Sequence, residues 1–190
     1  KMTASKDTKP KFTGFLLEGS AFNAVLGNAV TGDDAQYAKN MMAEIEKTLS
    51  KKIGEEGELS EGDADTIKGF VSSFFAAVNK TIDTGEMHAG LVGKMEGSKV
   101  NAAMAVQLTD ADSIQASLER FAEMAKNKAG DKVTVKMNAT KNSLGTFHQV
   151  DVAIPESEEP ARKVFGDSLT LNIGLSAENA YMTLGNDGLK

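Results

Sequence analysis

Glu86-Met87-His88-Ala89-Gly90-Leu91-Val92-Gly93-Lys94-Met95-Glu96-Gly97-Ser98-Lys99-Val100-Asn101-Ala102-Ala103-Met104-Ala105-Val106-Gln107-Leu108 is the stretch on which the fold turns. In the helix that ends at Gly85 the apolar residues recur at helical spacing. Here the period drops to two. Met87, Ala89, Leu91, Gly93 and Met95 alternate with His88, Gly90, Val92 and Lys94. After Glu96-Gly97-Ser98, Val100, Ala102, Met104, Val106 and Leu108 answer on one face. Alternation on both sides of a short Gly-containing turn predicts an antiparallel β-hairpin, because successive strand side chains point to opposite faces.

Upstream, two helices are expected. The first opens at Thr31-Gly32-Asp33-Asp34, with Asp33 or Asp34 as its cap, and carries Ala38, Met41, Met42, Ile45, Leu49 and Ile53 on one face until Gly54. An exposed acidic linker, 55–62, follows. The second begins near Asp63 or Asp65 and repeats Ile67, Phe70, Val71, Phe74, Phe75, Val78 and Ile82 up to Gly85. Phe12 to Glu18 reads as a short strand. Residues 20–30 are ambiguous, with Phe22, Val25, Leu26 and Val30 near helical spacing but Gly27 and Asn28 interrupting.

Downstream, Thr109 to Ser113 should cap a third helix with Ile114, Leu118, Phe121, Ala122 and Ala125 inward, ending at Gly130. Four strands follow. Val133, Val135, Met137 and Ala139 precede a turn at Asn142-Ser143-Leu144-Gly145, and His148, Val150, Val152 and Ile154 share the next strand. A Pro155–Pro160 loop interrupts, and Leu169, Leu171, Ile173 and Leu175 then pair with Ala180, Met182 and Leu184. Strands segregated from an early helical pair predict an α+β fold. The expected architecture is an antiparallel sheet (hairpin, helix, four-strand meander) packed against about three amphipathic helices. The chain divides into a flexible tail at 1–11 and a single domain at 12–190, mainly helical over 12–85 and sheet-rich over 86–190.

Composition narrows the function classes. The chain has 190 residues and a net charge of −6, with 27 acidic against 21 basic side chains. Its only arginines are Arg120 and Arg162, so the fork donors that best grip phosphates and bases are almost missing, and no nucleic-acid partner is expected. The absence of cysteine removes disulfides, thiolate nucleophiles and Cys-based metal sites. No run approaches the roughly 20 apolar residues of a membrane helix, so no transmembrane segment is expected. Nine Met and nine Phe, with no Trp, supply the bulk of a soft core. Lys1 precedes Met2, and the chain stops at Asn186-Asp187-Gly188-Leu189-Lys190, so the reading is of an excised or processed piece.

The chemistry-bearing residue types form no recognisable constellation. Gly90-Leu91-Val92-Gly93 and Gly14 through Gly19 match no phosphate-binding pattern, and glycine in such strands marks a bulge or close backbone approach. Asp63 and Asp65 resemble the start of a calcium loop, but Lys68 stands where glycine is required and Phe74 where a bidentate Glu belongs. Asp110 and Asp112 fail similarly. Capping explains all four. The two histidines, His88 and His148, would need an acidic third ligand such as Asp151 or Glu86 to hold a metal, and Asp151 should face away from His148. They read as structural, hydrogen-bonded side chains. Ser98 and Ser143 lie in turns without a nucleophile setting. Glu55, Glu56 and Glu58, like Glu156, Glu158 and Glu159, read as solvated faces. No catalytic residue, cofactor or metal ligand is assigned.

Gly145-Thr146-Phe147-His148-Gln149-Val150, Phe165-Gly166-Asp167 and Ala180-Tyr181-Met182-Thr183-Leu184-Gly185 carry a resemblance. Over residues 86–190 the chain resembles a planctomycete-type group of secreted or envelope-associated bacterial domains of unknown function. The resemblance implies an exported, periplasmic or cell-envelope location and brings no catalytic residues with it. The leading expectation is a non-catalytic binding or structural module of an exported bacterial protein, with an envelope protein or polymer as partner. One alternative is a carrier holding an apolar small ligand in an enclosed pocket between the Phe-rich second helix and the sheet. The other is a hydrolase in which His88 or His148 meets a carboxylate and a hydroxyl in a cleft.

Overall fold

A computed structural model of the chain describes residues 8–55 and 59–185. In chain order it contains β1 (Phe22–Ala29), α1 (Asp33–Glu55), α2 (Glu61–Asp83), β2 (Glu86–Glu96), β3 (Lys99–Gln107), α3 (Gln115–Ala129), β4 (Val133–Asn142), β5 (Gly145–Ala153), α4 (Glu159–Phe165), β6 (Ser168–Leu175) and β7 (Asn179–Leu184). All seven strands join one antiparallel sheet in the order β1-β2-β3-β7-β6-β5-β4. The expected hairpin and meander are both present. They fuse because β7 returns to pair with β3, placing Met104 opposite Met182.

The β2–β3 hairpin closes tightly, with Glu96 opposite Lys99. Of the two turn residues only Gly97 takes positive φ (64°), as expected of a type II′ turn, whose twist matches that of the flanking strands.

Three expectations need correction. Phe12 to Glu18 is not a strand but holds a single 3-10 turn at Thr13–Phe15, and the strand is Phe22–Ala29. The apparent helical spacing there was accidental: pleating sends Val25 to one side and Phe22 and Leu26 to the other. The strand within the mainly helical part 12–85 is thus Phe22–Ala29, an edge strand of the common sheet. Second, the loop at Pro155–Pro160 leads into a fourth, short helix with proline at its start, where the missing N–H has no intrahelical partner to lose. Third, α2 is capped by Ser60, whose hydroxyl accepts from the Asp63 N–H; Asp63 instead pairs with Lys128 at the end of α3. The Lys128 ammonium, and a hydrogen bond donated by the Ser60 hydroxyl, hold the Asp63 carboxyl below its ordinary range. Asp33 and Asp34 sit inside the first turn of α1, where their charge suits the helix dipole.

Residues 1–7, the linker positions 56–58 and the terminal 186–190 lie outside the described residues. Residues 8–11, expected in the tail, instead lie against the sheet.

The core gathers at one end of the molecule. Ala77, Val78 and Ile82 of α2 meet Leu108, Ala111, Ile114, Leu118 and Leu175. Burial of each large side chain there contributes about 1.5–3 kcal/mol. Thr81 ties this end together: its hydroxyl donates to the Ala77 carbonyl and accepts from the Thr109 N–H.

Candidate functional site: an apolar cleft beneath the helices

The helices cover the sheet unevenly. On the helix-facing side, Leu91, Met104, Met182, Ile173 and His148 lie in a cross-strand row. On one side of this row the sheet is roofed by α2 and α3. Apolar residues in the row itself, beyond it and on the edge strand β1 meet solvent. Leu26 is 59% exposed, Leu91 40% and Met182 39%, and Phe22 and Met95 are exposed as well. Helix α1, for all its apolar stripe, contains no buried residue. Ala38 and Met42 touch the core, whereas Met41, Ile45 and Leu49 remain exposed.

Between roof and sheet runs a cleft of about 210 Å3. Phe70 and Phe74 of α2 line it from above, Leu118 from α3, and Met104, Ile173 and Met182 from the sheet. The stacked rings of Phe70 and Phe121, with centroids 5.4 Å apart, and the Ser73–Ser117 hydroxyl pair at 2.7 Å hold α2 to α3 above it. Phe74, 38% exposed, and Met182 mark its solvent-facing side. The carrier alternative expected an enclosed pocket of several hundred Å3 at this place. The cleft is in that place but smaller and open.

His148 is the polar neighbour of this region. Its Nε2 lies 3.2 Å from the Gln115 side-chain oxygen, and its Nδ1 accepts from the Asn138 N–H at 3.2 Å. Nδ1 is thus an acceptor and Nε2 carries the proton. Asn138 has positive φ (53°) within the β4 irregularity between Lys136 and Thr140, so one imidazole pins a bulge, β5 and α3 together. Burial lowers the His148 pKa, against a weaker opposing pull from Glu119.

His88 lies on the opposite face. Its Nε2 is 3.2 Å from Glu86, and the ring is buried. The sheet therefore separates the two histidines: among the described residues His88 meets the Glu86 carboxylate on one face and His148 the Gln115 amide on the other. Asp151 faces away from His148 and accepts from Thr170 and Gln149. Among the described residues, no three His, Asp or Glu side chains converge as a metal site would need, and no helix is long and apolar enough to cross a membrane. Ser98 donates to the Lys163 carbonyl and so anchors the hairpin turn to α4.

No protein-family model matches the chain, and neither a curated protein nor a solved structure matches it.

Proposed function

We propose that the domain is a binding module that takes up the end of an apolar chain in the cleft between α2, α3 and the sheet. One observation supports this reading above the others. The cleft is lined almost entirely by apolar side chains and continues onto an exposed apolar sheet face, a combination that folding alone leaves unsatisfied. Drug-sized sites span about 300–1,000 Å3, so a 210 Å3 cleft holds the end of a ligand and leaves the remainder along Leu91 and Met182. The exported, cell-envelope setting implied by the resemblance suits this ligand class, because lipids and lipid-modified chains are abundant there.

Titration with n-octyl β-D-glucoside below its micellar concentration, followed by calorimetry, tests the proposal. Saturable one-site binding, weakened by Phe74→Glu at the mouth and by Ala180→Phe within the cleft, is the expected result. Binding that never saturates, or that ignores both substitutions, would overturn it. Phe74 is partly exposed, so its variant remains informative if the Ala180 variant does not fold.

A further inference from the structure

The opposite face of the sheet carries a second cavity, of different chemistry. Residues 8–15 cross this face as a strap over β1 and β2, in a trough made by missing side chains. A Cβ at Gly27 would lie 2.9 Å from the Thr8 carbonyl oxygen and 3.0 Å from the Pro10 Cα. A Cβ at Gly90 would lie 2.8 Å from the Phe12 Cβ and 3.0 Å from the Phe15 ring. Only glycine lets the strap sit so low, and it buries His88 beneath it.

Seated on Gly90, Phe12 and Phe15 pack edge to face, with centroids 6.2 Å apart. Across β3, whose side chains on this face are Ala103 and Ala105, stands Tyr181 of β7, backed at 6.0 Å by the buried ring of Phe147 of β5. Gly90 of β2, beneath the first pair, and Tyr181 of β7 stand on strands two spacings, about 10 Å, apart. Between them lies a cavity of about 670 Å3, within the range of small-molecule sites. Its rim is polar and exposed. Lys11, steadied by its hydrogen bond to Gln107 at 3.3 Å, Glu178 and Asn142 line it. One cation and one anion give the rim no net charge. Burial raises the Tyr181 pKa, so its hydroxyl stays protonated in the wall.

We propose that this cavity is a ligand site for a small planar heteroaromatic compound bearing hydrogen-bonding groups and no net charge. Aromatic walls favour stacked or edge-on rings over flexible chains. The balanced rim disfavours a strongly charged ligand, since either sign would meet one like charge. The sheet divides this site from the apolar cleft, with Met104 and Tyr181 contributing to the lining of both.

The protein has no tryptophan, so the emission of an indole probe reports on the probe alone. Titrating protein into N-acetyltryptophanamide, excited beyond tyrosine absorption, should give a saturable blue shift and a rise in anisotropy. Phe15→Ala should weaken binding by about tenfold or more, the loss expected of one aromatic contact. Gly90→Val should abolish it by lifting the strap. Phe74→Glu, in the cleft on the other face, should leave it unchanged. No saturable signal, or equal affinity in Phe15→Ala, overturns the proposal. Loss on Phe74→Glu but not on Phe15→Ala would move the probe to the apolar cleft and also overturn it. Phe15→Ala decides the matter if Gly90→Val fails to fold.

Discussion

The two faces of the sheet are finished by opposite means. One is roofed by long amphipathic helices yet left half open, with Leu26, Leu91 and Met182 in solvent. The other is covered at β1 and β2 by a short strap without regular structure beyond one 3-10 turn, which fits closely because Gly27 and Gly90 remove the side chains in its way. Helical length does not guarantee closure. A roof hinged at the core end, where Ile82 meets Leu108, can rise from the sheet farther along, whereas a strap seated in a glycine trough has one height at which it fits.

The largest expected effect comes from breaking the hinge. Ile82→Ala removes a side chain 1% exposed in the core cluster and should destabilise by about 2–5 kcal/mol in chemical denaturation. Gly90→Val attacks the other face and should cost about 1–3 kcal/mol through overpacking beneath the strap. Exchange protection at His88 should fall with it, while the core amides of α2 keep theirs.

His148 sharpens the comparison through pH. Its pKa in the folded protein lies below the ordinary 6.5, so as pH falls below that value the unfolded chain binds the proton first. Its contribution is therefore complete above about pH 6.5 and is lost on acidification toward the lowered folded value. The melting temperature should fall between pH 7 and 5, and His148→Gln should make that fall shallower, whatever it does to stability at neutral pH. The smallest effect is expected at the open end: Met41→Ala, on the exposed stripe of α1, should change stability by no more than about 0.5 kcal/mol. A loss of several times that amount would mean that α1 closes onto the sheet in solution.

Much of the strand order was legible in the sequence because alternation survives even where a face is half exposed. The 86–108 hairpin, the three long helices and the meander all follow from period alone. What period could not reveal was the fusion through β7, since pairing between distant strands leaves no local signal. Residues 12–18 read as a strand because Phe12 and Phe15 look like strand residues, when their true partner Gly90, like Gly27 beneath Thr8 and Pro10, is recognised only across the fold. Those glycines were nonetheless a readable sign that backbone or rings approach closely. Phe70, Phe74 and the sheet methionines were visible as apolar stripes, but a stripe reads the same whether its groove is filled or open. The balance between roof and sheet is a tertiary property.

The central claim is that the cleft beneath α2 and α3 is a binding groove. Methyl-labelled methionine NMR tests it most directly, because Met104 and Met182 line the groove and Met137 lies away from it on β4. Addition of n-octyl β-D-glucoside should shift the Met104 and Met182 methyl signals along a common saturable curve, with Met137 unmoved. Uniform small shifts across all the methionines, or none at Met104 and Met182, would contradict the account.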